Sequence, residues 1–228
     1  MILNIFRNYI SITTIIASFI LLIFMFNCCS YSDNTFKYQN GDLLFSVGSS
    51  DSEFTSAIQE STSNKDEIPY SHVGIVFLEN DEIFVIEATT KGGVIKSTLE
   101  EFFAEAADID GKKLIAVGRL IPELRYTISD ALKAASTHLG KEYDYFYDER
   151  NDSFYCSELV RFSFIDSTGN HIFEPLEMSF KNKESGESDP FWETHFQKLN
   201  ASVPEGEPGT NPADMAKLQV INIIHTFF

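Results

Sequence analysis

Two apolar runs flanking a short polar stretch set the strongest limit on how this chain folds. Tyr70 to Leu78 and Ile83 to Ala88 carry the β-branched and aromatic residues of strands, and Glu79-Asn80-Asp81-Glu82 between them reads as a turn. The two runs therefore pair as an antiparallel hairpin that begins just after Pro69. Counting outward from residues 79 and 80, the register sets His72 opposite Glu87 at the far ends of the two arms. By alternation His72, Gly74 and Val76 share one face, with Val73, Ile75 and Phe77 on the other. Gly74 leaves room on the histidine's face for a substrate or a helix end to approach closely.

The remaining pattern fits a sheet with helices packed on it. Gly41-Asp42 opens a strand over Leu43 to Val47, and Ser52 to Glu60 reads as a short helix with Phe54, Ala57 and Ile58 on one face. Residues 61–67 are loop. Lys91-Gly92-Gly93 turns the chain into a short strand, Val94 to Ser97. Leu99 to Ala107 is helical, with Leu99, Phe102, Phe103 and Ala106 as its apolar stripe, and Leu114 to Leu120 is a strand ending before Pro122. Ser129 caps a helix that reaches about Leu139 and stops at Gly140; another opens at Ser153 or Tyr155 and runs through Phe164. Strands come first and two helices after, which gives an α+β domain with an antiparallel sheet core and not a doubly wound sheet. Beyond that the texture changes. Pro190, Pro204, Pro208 and Pro212, with Gly206 and Gly209, give a long loop, interrupted by a turn of helix around Trp192 to Leu199 and followed by a last strand, Leu218 to Ile224.

Charge narrows the partners. Seventeen basic against 34 acidic side chains leave a net charge of −17, and so acidic a chain is repelled by phosphate backbones, which argues against nucleic acid. With 43% apolar residues the chain has material for one real core, so disorder is excluded.

The amino end points to export. Ile10 to Phe26 is uncharged, follows the basic Arg7, and leads into Asn27-Cys28-Cys29-Ser30 and a polar stretch. A cysteine directly after an apolar core is what a bacterial lipoprotein signal requires. Residues 1–29 then form a signal peptide lipidated at Cys28, residues 30–39 a linker, and residues 40–228 the domain. Asn27 is larger than the residue usual before such a cysteine, which leaves Cys29 as the alternative. An uncleaved membrane anchor is the alternative to the whole scheme. Either one tethers the domain to a membrane on the exported side of the cell envelope.

Cys156 is then the lone cysteine of the folded region, and exported domains normally pair theirs. A small buried hydrophobe is the plain reading. Placement raises the other reading, because Cys156 stands where a helix begins. Unpaired N–H groups and the positive end of the helix dipole favour a thiolate there, and the same N–H groups can hold an oxyanion. Of His72, His138, His171, His195 and His225, only His72 sits on an apolar strand with free space beside it. His138 complements a helix C-terminus as a cation, and the other three lie in loop or tail. Glu87 is a carboxylate inside an apolar strand and needs a partner, and the hairpin supplies His72. An edge histidine bound to a carbonyl and an exposed carboxylate are the competing readings.

These blocks occur in a telling order: Gly41-Asp42-Leu43-Leu44-Phe45, Ser71-His72-Val73-Gly74-Ile75-Val76, Val85-Ile86-Glu87-Ala88, Tyr143-Asp144, and Tyr155-Cys156-Ser157-Glu158-Leu159-Val160. Together they resemble the circularly permuted papain-like hydrolases of the NlpC type, in the YiiX/YebB-like group, where the histidine strand precedes the cysteine helix. The likeness covers residues 40–165 well and the tail only through Asn211-Pro212-Ala213-Asp214, and the 61–67 loop departs from it in length. It implies a permuted papain-like fold and thiol-dependent cleavage of an amide through an acyl-enzyme, with Cys156 as nucleophile, His72 as general base and Glu87 as its orienting partner. It also places Tyr143 near the substrate cleft. The substrate is a cell-wall peptide or an acylated small molecule, and no cofactor is implied. A binding lipoprotein that keeps the fold without catalysis is the alternative, and a structural or adhesive surface protein is a third.

Other signals carry less. Asp144, Asp148, Glu149 and Asp152 lack the glycine and terminal glutamate of a calcium loop and read as a solvated acidic loop. No Cys or His pair has the spacing of a zinc site, so no metal ligands are assigned.

Overall fold

The hairpin turns on two residues. In the computed structural model, which describes residues 36–48 and 52–228, Asn80 and Asp81 adopt φ 52° and 66°. Two successive positive φ values define a type I′ turn, whose twist matches that of the flanking strands. Glu79 therefore pairs with Glu82, and Ile75 with Ile86. This corrects the register expected from a four-residue turn by two positions. Continued outward, it sets Glu87 beside Gly74, and His72 one pleat further along the same face. A Cβ on Gly74 would lie 2.4 Å from Val85 and 3.1 Å from the Phe102 ring. The space beside Gly74 is thus filled by the protein's own side chains.

Among the described residues, ten strands and six α-helices follow in chain order. The strands are β1 (Leu43–Ser46), β2 (His72–Glu79), β3 (Glu82–Thr89), β4 (Gly93–Thr98), β5 (Asp108–Ile109), β6 (Lys112–Lys113), β7 (Ile115–Leu120), β8 (Leu176–Glu177), β9 (Pro208–Gly209) and β10 (Ile221–Thr226). The helices are α1 (Glu53–Thr62), α2 (Leu99–Glu105), α3 (Ile128–Thr137), α4 (Cys156–Ser163), α5 (Pro190–Lys198) and α6 (Pro212–Met215). Six strands form one antiparallel sheet in the order β10-β7-β1-β2-β3-β4, and β5–β6 and β8–β9 are separate two-stranded pieces. The α+β class with an antiparallel core holds.

The central strand explains the Gly-Asp block. Leu43, Leu44 and Phe45 are fully buried, so β1 is covered on both faces and reads as a continuous apolar run. Asp42 at its head is also buried, and it accepts a bidentate pair from Arg119 of β7 at 2.7 Å for each bond. Gly41 just before it takes φ 77°, and a Cβ there would strike Ile128 at 2.8 Å. The main core joins Phe45, Val73, Ile75 and Ile86 of the sheet to Ala131 and Ala135 of α3 and to Leu159 and Val160 of α4. A second cluster gathers Tyr147, Tyr155, Phe180, Trp192 and Phe196.

Helix starts differ from expectation in one place. A 3-10 helix over Pro122–Thr127 runs directly into α3, so Ser129 lies inside a continuing helix and caps nothing. Thr98 and Glu101 form a reciprocal capping box at the start of α2. The tail holds a full helix, α5, capped by Asp189 with Pro190 at its first position, and the last strand is shifted to Ile221–Thr226. The expected signal peptide, with Cys28 and Cys29, lies outside the described residues. No helix among the described residues is long and apolar enough to cross a membrane.

Candidate active site

Cys156 is the first residue of α4. Tyr155 before it is extended, at φ −90° and ψ 169°, so the helix begins sharply at the thiol. Leu159 and Val160 are fully buried in the main core and pin the helix, which leaves Cys156 at the end of a fixed element. First-turn N–H groups have no partner inside a helix and point past its end, toward the position a reacting carbonyl would take.

His72 opens β2, outside the β2–β3 ladder that starts at Ile75. Its Nε2–H donates to Oε2 of Glu87 at 2.5 Å. The second carboxylate oxygen, Oε1, accepts the Ser97 hydroxyl from β4. With Nε2 committed, Nδ1 is the nitrogen left to face the Cys156 thiol, which is near enough to act on the ring's charge. The diagonal His72–Glu87 contact across the pleat is within reach of long side chains. Phe102 of α2 lies against the imidazole, with ring centres 5.5 Å apart. Burial works against charge on the ring, but the hydrogen bonds from Cys156 and Glu87 and their negative fields outweigh it and push the His72 pKa up to about 10. The imidazolium is therefore the favoured form at neutral pH.

A cavity of about 370 Å³ has Cys156 in its wall. Tyr143, Tyr147 and Tyr155 line it from the segment before α4, and Met178, Phe180 and Trp192 line it from the tail. Burial holds the Tyr143 and Tyr147 hydroxyls well above the usual phenol range, so both are neutral. Tyr143 packs edge-on against Phe54 and tilts against Tyr145. Tyr147 is held at φ 55°, uncommon for a bulky residue and a mark of a constrained position.

That constraint comes from Asp144, which corrects the reading of a solvated loop. Asp144 is fully buried and accepts three hydrogen bonds, from the N–H of Phe146 and of Asp148 at 2.8 Å and from Nδ2 of Asn151 at 2.9 Å. His138 is also corrected. It packs 4.3 Å from the Phe154 ring, and burial lowers its pKa, so it caps α3 as a neutral ring. His171 bonds the Arg161 carbonyl, His195 bonds the Tyr145 carbonyl, and His225 sits on β10. Of the five histidines, His72 alone joins Cys156.

Ser97, Phe102, Tyr147 and Trp192 carry no local sequence signal as parts of this site, because each reaches it through contacts between distant segments.

Residues 37–225 match the family described as permuted papain-like amidase enzymes of the YaeF/YiiX, C92 type. The chain belongs to that family. It is 29% identical over 177 residues to the uncharacterized protein YiiX of Escherichia coli K12, covering 76% of this chain and 79% of that protein. Its fold matches the crystal structure of metalloprotein YiiX from Escherichia coli O157:H7 with a TM-score of 0.66 and 24% identity, covering 84% of this chain and 98% of that one. This amidase family member is therefore of the papain-like hydrolase type, with the permuted order in which the His72 strand comes before the Cys156 helix. Among the described residues no three His, Cys, Asp or Glu side chains converge as metal ligands.

Proposed function

We propose that this chain is an exported, lipid-anchored cysteine amidase in which Cys156 is the nucleophile, His72 the general base and Glu87 the group that orients His72. The observation that carries the reading is the His72–Glu87–Ser97 hydrogen-bond chain, with Cys156 at a helix start in the cavity wall and close enough to His72 to shift its charge. His72 Nδ1 takes the thiol proton, giving a thiolate–imidazolium pair. The thiolate attacks the amide carbonyl, and the Cys156 N–H helps hold the oxyanion. The imidazolium then protonates the leaving amine as the C–N bond breaks. Water, giving its proton to His72, cleaves the thioester, releasing the acid and the free thiol. Glu87 keeps Nε2–H fixed throughout, so Nδ1 remains the working nitrogen. The substrate is a peptide or an acylated small molecule, and Cys28 or Cys29 carries the lipid.

The test is the rate of Cys156 alkylation by iodoacetamide against pH, on the full-length chain in detergent. Fast reaction at pH 6–7 that His72→Ala slows supports an activated thiol. Reaction that rises only near the usual thiol range of about 8.5, with no change in His72→Ala, leaves the non-catalytic binding reading in its place.

A further inference from the structure

Glu158 stands two residues after the nucleophile, in the first turn of α4. It is almost completely buried, and its Oε2 accepts the backbone N–H of Tyr155 at 3.2 Å. That N–H belongs to the residue that sets the entry of the chain into Cys156, and Tyr155 contributes no side-chain cap of its own. A glutamate at the third helical position is normally an anion, drawn there by the positive end of the helix. Here an anion would compete with the Cys156 thiolate for the same field.

The surroundings remove that competition. Asp144 and Glu149 face Glu158 from the preceding loop, with the Tyr155 phenol beside them, and Arg161 is the cation that faces it from α4. Asp144 holds three donors and is the carboxylate of the group. The Arg161 guanidinium lies 3.4 Å from Glu149. Three buried or half-buried acids share one cation, so one of them keeps its proton, and Glu158, with one backbone donor, is the least compensated.

Resting on the amidase reading above, we propose that Glu158 is a positioning residue for the nucleophile, a neutral buried acid that fixes the Tyr155–Cys156 backbone without drawing on the helix field the thiolate uses. Burial, then the field of Asp144, pushes its pKa up to about 8, in agreement with that role. Ionisation of Glu158 then places a negative charge in the first turn of the helix that carries the thiol and against Asp144, which ties the site to the loop carrying Tyr147.

The experiment follows iodoacetamide alkylation of Cys156 from pH 5.5 to 9.5 in the full-length chain. Wild type is expected to show a second inflection near pH 8, which Glu158→Gln lacks and Asp144→Asn moves to lower pH. Glu158→Ala, losing the Tyr155 tether, slows the reaction about tenfold, the worth of one hydrogen bond, and Glu158→Gln recovers most of that loss. Thermal unfolding supplies the second readout. An acid whose folded pKa exceeds its unfolded value keeps a proton the unfolded chain has lost, so stability falls as pH rises from about 4.5 to about 8 and is level above. Glu158→Gln should therefore gain stability over wild type across that window. An inflection near pH 8 that persists in Glu158→Gln, or its absence from wild type, overturns the proposal. Slow alkylation of wild type at every pH, unaltered by His72→Ala, overturns the amidase reading and this one with it.

Discussion

The frame that carries Cys156 and His72 and the tail that closes the cavity are built by different physics. The frame, residues 38–165, is a long antiparallel ladder whose central strand is buried on both faces and joined at its head to the neighbouring β7 by the Asp42–Arg119 pair. The tail, residues 166–228, returns one strand, β10, to the edge of that ladder, and otherwise has a two-residue strand pair, short helices, and an aromatic cluster around Trp192 that includes Phe180 and Phe196. Its loops are tied by single acceptors, such as Glu205, which takes the Phe180 N–H and the Ser179 hydroxyl. A ladder holds catalytic atoms to within fractions of an ångström, because one slipped register would reverse every face. An aromatic wall on loops holds shape more loosely and varies more easily. In this molecule the frame carries the proposed chemistry, and the tail supplies much of the wall of the cavity beside it.

The largest effects should come from the frame. Cys156→Ala is expected to abolish amide turnover while leaving the unfolding temperature near that of wild type, since the change removes one sulfur atom from a buried position and keeps the Cβ and the helix start. Residual turnover above a few per cent of wild type would remove Cys156 from the chemistry. His72→Ala should cost about 10²- to 10⁴-fold, the range for losing a general base. It should also change the pH dependence of stability. The His72 pKa rises from the ordinary 6.5 to about 10 on folding, so the charge contributes stability that is complete below about pH 6.5 and is lost as pH rises through about 10. The gap in unfolding temperature between wild type and His72→Ala should be widest near pH 6 and close toward pH 10.5.

The same division explains what could be read from the sequence. The β2 and β3 runs, the placement of Cys156 at a helix start and the choice of His72 and Glu87 follow from local pattern. A ladder repeats every two residues, and a helix end is marked by its neighbours. The exact register is hidden because four polar residues do not show which two occupy the turn, and only the backbone at Asn80 and Asp81 decides it. The His72–Glu87 contact survived the error, since a shift of two residues keeps both side chains on one face. The tail was not legible for the opposite reason. Trp192 meets Tyr147 and Phe180 through contacts between distant segments, and Asp144 turned from an apparent surface acid into a buried hub by binding backbone N–H groups. Neither leaves a period in the sequence.

Whether the tail folds with the frame can be read directly, because Trp192 is the single tryptophan of the chain. It is buried in the tail cluster, so its fluorescence reports the tail while far-ultraviolet circular dichroism reports the sheet and helices together. The two thermal transitions are expected to coincide, since the cluster also contains Ala57 of α1 and Tyr155 beside the nucleophile. Trp192→Ala should then destabilise the whole domain by about 3–5 kcal/mol, as truncation of a buried aromatic does. A fluorescence transition well below the dichroism transition would instead make the tail a separately melting lid.

The smallest expected effect tests the division most finely. Gly209 of β9 is a close-approach position: a Cβ there would lie 2.4 Å from Sδ of Met178 and 2.9 Å from the Tyr155 hydroxyl. Met178 is flexible and can yield. The Tyr155 hydroxyl is fixed, because it accepts the Thr210 N–H at 3.1 Å. Gly209→Ala therefore crowds the cavity from the tail side at a cost of about 1–3 kcal/mol for overpacking, without touching His72 or Glu87. If the tail governs access, the variant should slow alkylation of Cys156 by a bulky aromatic maleimide several-fold more than alkylation by iodoacetamide, which is small enough to pass. Equal slowing of both reagents would mean that the added methyl had moved Tyr155 and, through it, the thiol. The tail would then help to set the chemistry as well as the access, and the division drawn between the two regions would fail at that point of contact.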